Sequence, residues 1–175
     1  MAVHINPALI VIDLQNDYFP QGKFPLWNTT SVLENIKTAI GKANQANIPV
    51  ILVQHIADGS KGIAPFFNEG TEGADIHPEI LAAAPDAIVV KKAFADSFFH
   101  TTLEAELHRL AVTDLWICGM MTQNCVTHTA ISKSAEKYSV SVLPDCSTTV
   151  SEILHLIALN AMSTRVPLVP STDLL

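Results

Sequence analysis

The sequence predicts a three-layer α/β fold: an open, mostly parallel sheet of about six strands with helices on both faces. Three observations lead there. Short β-branched apolar runs recur along the 175 residues, helical patterns with start signals lie between them, and apolar residues make up 49% of the chain against 15% charged. Such a core is richer than a sheet solvated on one face needs, and suits a sheet covered on both faces or a surface hidden in an oligomer.

In order, Ala8-Leu9-Ile10-Val11-Ile12 reads as the first strand, too short and too branched for a helix. Ser31 with Glu34 fits a capping box, and Val32, Ile36, Ala39, Ile40 and Ala43 form the apolar stripe of the helix it opens. Val50 to Val53 is the second strand. Residues 57–85 carry four glycines, three prolines and Phe66-Phe67 without periodicity, which predicts a long functional loop. Ala87 to Val90 is the third strand. Thr101 with Glu104 opens a helix striped by Leu103, Leu107 and Leu110, and Leu115 to Cys118 is the fourth strand, with a helix beginning near Cys125. Val140 to Leu143 is the fifth strand. Thr149 with Glu152 opens a helix striped by Ile153, Ile157, Ala158 and Ala161, and Val166 to Val169 is a sixth, edge strand because it contains Pro167. Strands alternating with helices in this way give right-handed βαβ units in one domain spanning residues 1–175.

Composition narrows the function. A net charge of −7 with no basic cluster excludes the grouped cations that nucleic-acid binding requires. No apolar run reaches membrane-spanning length. Met1 to Asn6 lacks the basic and apolar regions of a signal peptide, so a cytoplasmic protein is expected. Cys118, Cys125 and Cys146 form no CxxC pair and no zinc-like cluster with histidine, so the expectation is reduced thiols, no metal and no cofactor.

The chemistry concentrates at strand ends. Asp13 follows the first strand, Lys92 the third, and Cys125 the fourth by way of a turn at Gly119. In parallel sheets ligands bind beyond the carboxyl ends of the strands, so these side chains share one crevice if their strands are neighbours. An acid, an ammonium and a thiol together suit nucleophilic attack on an amide-type carbonyl. Asp13 would take the thiol proton, while Lys92 and a helix N-terminus would stabilise the thiolate and lower its pKa. The N–H groups of Met121 and Cys125 would hold the oxyanion, each donor typically contributing ~3 kcal/mol. Singly, each residue type has ordinary structural uses; together they point to a site. Phe19, Trp27, Phe66, Phe67, Phe99 and Gln123 are candidates for the substrate pocket. His55 and His128 are candidates for a Cys–His dyad or for packing, with the second more common.

These residues resemble the isochorismatase-like cysteine hydrolases, a family including nicotinamidases, several amidohydrolases and isochorismatases. Val11 to Phe19 is similar to the family's opening motif, Lys92 falls on its lysine, and Gly119 to Val126 with Thr129-Ala130 resembles its nucleophile motif. The resemblance implies Asp13 as base, Lys92 and Cys125 as its partners, and a cis peptide between Met120 and Met121. Two departures stand out. Gln123 occupies a position where the family often has aspartate, and Gln54-His55-Ile56-Ala57 lacks the Asp-x-His metal site of nicotinamidases. The implied activity is hydrolysis of a C–N bond in a small amide through a thioester. Vinyl ether hydrolysis with a dispensable thiol, or a non-catalytic binding module, are the alternatives. A homo-oligomer acting on a small molecule is expected.

Overall fold

A computed structural model describes residues 5–175; the stretch read for a leader lies, through His4, outside the described residues. The sheet has five parallel strands, β1 (Pro7–Ile12), β2 (Val50–His55), β3 (Ile88–Lys92), β4 (Asp114–Met120) and β5 (Ser139–Thr148), in the spatial order β3-β2-β1-β4-β5. The three-layer expectation holds, with one strand fewer. Val166 to Val169 touches β5 only through the pair Val142 and Leu168, where Val142 donates to the Pro167 carbonyl and Val169 donates back to Val142. Pro167 has no N–H, so a longer ladder is not available to it.

Side chains alternate along each strand, and the two faces are both apolar. Leu9, Val11, Leu52, Trp116 and Cys118 meet α1 (Thr29–Gln45), together with Val32, Ile36 and Ile40. Ala8, Ile10, Ile12, Ile51 and Ile117 face the opposite layer, with Leu103 and Leu107 of α3 (Leu103–Arg109), Ala130 of α4 (Thr127–Ala130), and Leu159 and Met162 of α5 (Glu152–Met162). Among the described residues no helix is long and apolar enough to cross a membrane.

Helix starts differ from the sequence reading. Helix α1 begins at Thr29 after Asn28 in the left-handed region, so Ser31 is already inside it. Helix α3 starts after Thr102, although Thr101 Oγ1 still accepts from Leu103 N at 3.2 Å. Helix α5 is capped by Ser151, whose side chain accepts from Leu154 N at 3.3 Å, while Thr149 is buried just past the end of β5. Of the three, only α5 has a side-chain cap; Asn28 before α1 and Thr102 before α3 make no capping hydrogen bond.

Of the stripe expected on α5, Ala158 is buried, but Ala161 and both isoleucines are exposed. Ile153 and Ile157 are exposed, at 70% and 59%, and the buried face is His155, Ala158, Leu159 and Met162. The long segment 57–85 is also more structured than expected. It contains single turns at Gly59–Lys61 and Glu72–Ala74 and a helix, α2 (Pro78–Ala83), with His77 at its cap and Pro78 in its first turn, a start signal the glycine-rich context concealed.

Candidate active site

Strand order reverses between β1 and β4, after which the chain moves to β2 on one side and to β5 on the other. That switch point opens a crevice at the carboxyl ends of the strands. Asp13 leaves β1 with φ 56°, a left-handed conformation that Asp tolerates better than most residues. Opposite it, Gly119 pairs with Ile12 and has φ 125°. A Cβ there would sit 2.1 Å from the Ile12 carbonyl oxygen, so only glycine lets β4 pass this close to β1. The Met120–Met121 peptide is cis, as the resemblance implied. The chain then winds through a single π turn, Thr122–Val126, carrying Cys125 inward before α4 begins.

Strand β3 is not a neighbour of β1, because β2 lies between them. The long arm of Lys92 crosses β2, and its Nζ lies 3.0 Å from Asp13 Oδ2 and 3.2 Å from Cys125 Sγ. Asp13, Lys92 and Cys125 are therefore brought together, all three buried, at 0%, 3% and 2% exposure. A fourth group joins them. His55, paired in register with Lys92 on β2, has Nδ1 2.8 Å from the same Nζ.

Gln15 and Asp17 hold the surroundings. The fully buried Gln15 accepts from the His55 N–H at 2.8 Å and donates to the His55 carbonyl at 2.7 Å, so its amide clips the end of β2. Asp17 accepts from the N–H of Phe67 at 2.8 Å and packs against Gly73, where a Cβ would meet its Oδ1 at 2.1 Å. Phe67 is thereby fixed with its ring 5.9 Å from His55 and 4.5 Å from Tyr18. Both polar residues lie within the opening motif, Val11 to Phe19. The available signal was a run of polar residues directly after a buried strand, where bulk solvent is absent.

The remaining pocket candidates scatter. Phe66 packs with Tyr18 and Phe67, and Trp27 lies 6.0 Å from His155. Phe19 packs on His77 at 4.3 Å and lines a separate cleft of about 750 Å³ with Pro20 and Gly22. Phe99 is exposed against Phe94 and His100. Gln123 donates to Met121 Sδ at 3.8 Å, and its Oε1 is buried without a partner. His128 is exposed and bonds the Asn124 carbonyl, away from a dyad. A cleft of about 520 Å³ has Lys92 in its wall, with Ala57, Ala93 and His100.

Electrostatics correct the expectation of an acidic thiol. Burial and the Asp13 carboxylate push the Cys125 pKa up, and Lys92 offsets this only in part. The π turn is followed by a helix of four residues, too short to supply a strong dipole. For Lys92, burial pulls the pKa down, but Asp13 and Cys125 outweigh it and the net shift is upward. Burial and Lys92 lower that of His55. Asp13 Oδ1 is buried and makes no hydrogen bond. An orphaned carboxylate oxygen beside a thiol whose pKa is raised is positioned to receive a proton.

Asp13, His55 and Cys125 offer ligating atoms within 4.8 Å of one another, donor types that suit zinc. The Lys92 ammonium already stands at bonding distance from all three, so the set does not fit a metal ion with that cation in place. Gln54 is engaged by the Ala74 carbonyl at 2.9 Å rather than aimed at a ligand.

A parallel α/β sheet with a carboxylate, an ammonium and a thiol at its switch point defines the class of protein. A model of the isochorismatase domain matches residues 7–173, and the chain belongs to the isochorismatase family. An uncharacterized isochorismatase family protein of Bacillus subtilis, YddQ, is 38% identical over 147 residues, 83% of this chain and 80% of that one. A probable inactive nicotinamidase of Arabidopsis thaliana is 29% identical over 86% of this chain and 84% of its own length. The crystal structure of a putative isochorismatase hydrolase from Oleispira antarctica superposes with a TM-score of 0.86 at 32% identity, covering 99% and 98% of the two chains.

Proposed function

We propose that the protein is a cysteine hydrolase that cleaves a C–N bond of a small amide-type substrate through a thioester. Cys125 is the nucleophile, Asp13 the proton carrier and Lys92 the fixed cation. Family membership alone does not establish turnover, since one relative is described as a probable inactive nicotinamidase. The observation that carries the reading is the shared contact of Lys92 Nζ with Asp13 Oδ2 at 3.0 Å and Cys125 Sγ at 3.2 Å in a buried crevice.

Charge conservation explains how a thiol held protonated can still attack. Losing its proton to solvent would change the net charge of a buried site, which low dielectric opposes. Transfer to Asp13 does not. A carboxylate, an ammonium and a thiol become a carboxylic acid, an ammonium and a thiolate, and the sum stays at zero. Sulfur then adds to the substrate carbonyl, and the N–H groups of Met121 and Cys125 receive the oxyanion. Asp13 delivers its proton to the departing amine, leaving a thioester. It next removes a proton from water, which adds to the thioester and releases the acid and the thiol.

The test is ammonia release from a panel of small amides, ureas and carbamates, with wild type and Cys125→Ala compared. We expect turnover by the wild type and a loss of about 10⁴-fold or more in the variant, with its fold unchanged. Full activity without the sulfur would refute the nucleophile assignment, and retention confined to a vinyl ether acid would move the chemistry to protonation by Asp13. A second copy of the chain is also part of the proposal: Val150, Ile153, Leu156 and Ile157 form an exposed apolar stripe at and within α5, which a symmetric pairing would cover.

A further inference from the structure

We propose that His55 is a positioning residue for Lys92, acting only while its ring is neutral, and that its protonation shuts the enzyme off in acid. The inference rests on the hydrolase reading above and adds a fourth member to its site.

The ammonium of Lys92 has three hydrogens and no acceptor capacity. Its three partners are Asp13 Oδ2 at 3.0 Å, Cys125 Sγ at 3.2 Å and His55 Nδ1 at 2.8 Å. All its donors are therefore used, and the shortest of the three contacts is to the histidine. Because an ammonium can only donate, Nδ1 must be the unprotonated nitrogen and the ring proton must sit on Nε2. His55 thus completes a cage around a cation whose arm has crossed a whole strand to reach the crevice.

The ring has little freedom to do anything else. Gln15 pins the His55 backbone through both its N–H and its carbonyl, Phe67 lies against the ring at 5.9 Å, and the strand register places Lys92 directly beside it. The charged or titratable groups facing it are Lys92 from β3, Asp13 from the segment after β1 and Cys125 from the π turn. A second proton on His55 would convert a hydrogen bond at 2.8 Å into contact between two cations. Lys92 would have to swing away, taking from the thiolate the cation that stands 3.2 Å from its sulfur. Burial and the ammonium both disfavour that proton, so the transition falls below the ordinary histidine value of 6.5. The sign follows: activity is complete above this range and is lost as pH falls through it.

Two substitutions separate this role from simple packing. His55→Asn places an amide oxygen near the position of Nδ1 and cannot titrate, whereas His55→Leu keeps bulk and removes the acceptor. We expect His55→Leu to lower kcat by about 10- to 100-fold with KM little changed, the pattern of a displaced reacting group. His55→Asn is expected to restore kcat to within about threefold of wild type at pH 7.5 and to lose the acid limb below pH 6.5. A wild-type acid limb that persists in His55→Asn, or a His55→Leu variant with wild-type kcat, would overturn the proposal. Failure of the hydrolase reading looks different: Cys125→Ala would then stay active, whatever the His55 variants do.

Discussion

Burial and the Asp13 carboxylate raise the Cys125 thiol, and Lys92 lowers it. Removing the carboxylate should therefore separate acidity from catalysis. In Asp13→Asn the ammonium remains opposite the sulfur without its anion, so alkylation of Cys125 by iodoacetamide should begin at lower pH than in wild type. Turnover should fall about 10²- to 10⁴-fold, because no group is left to carry the proton. Alkylation rate against pH, with mass mapping of the modified residue, checks the first part; an unchanged or higher midpoint would contradict the electrostatic account. Asp13, Lys92 and Cys125 were legible in the sequence because reactive side chains at strand ends are conspicuous against apolar runs. The raised thiol was not legible, since desolvation depends on what packs around the sulfur. His55 was visible only as one histidine among seven; its role needed the distance to Lys92.

Among the elements, the carboxyl end of β4 is tightly constrained at Gly119. Its glycine has φ 125° and no room for a methyl group, the nearest obstruction being backbone rather than a movable side chain. Gly119→Ala should destabilise the fold by about 3 kcal/mol or more, combining backbone strain with a steric clash. Chemical denaturation gives the value, and a loss below about 1 kcal/mol would mean that β1 and β4 can separate at little cost. The same scale shows where periodicity reads well and where it does not. All five residues of the α1 stripe are buried, joined by Thr29 and Leu33, because that helix lies on one face of the sheet with solvent opposite. On α5 the apolar residues nearly encircle the helix, so no period identifies the inward side, and His155 is buried while Ile153 is not.

At the scale of the molecule, that outward stripe predicts assembly. Light scattering should report a mass above the 18.9 kDa of one chain, and Ile157→Lys should shift it toward the monomer by placing an unpaired charge in the contact. A wild-type mass of a single chain would remove the argument. The three buried thiols, Cys118, Cys125 and Cys146, predict a second bulk property. Burial raises all three above 9.0, and Cys146 is pushed up to about 12. An unfolded chain releases these protons near pH 9 while the folded chain keeps them. Their contribution to stability is complete below that pH and is lost as pH rises toward the folded values, at ~1.4 kcal/mol per pH unit for each group. Melting temperature measured from pH 7 to 11 should fall steeply above 9, and less steeply in Cys118→Ala.

By itself the sequence determined the α/β class, the positions of the five strands and the presence of acid, ammonium and thiol at strand ends. These follow from local rules: strand length, side-chain branching and the placement of polar residues directly after apolar runs. Only the tertiary structure decided the order β3-β2-β1-β4-β5, the reach of Lys92 across β2, the inclusion of His55 and the upward shift of the Cys125 thiol. Each of these depends on distances between residues remote in the chain and on the dielectric that their packing creates, and neither quantity is a property of any local stretch of sequence.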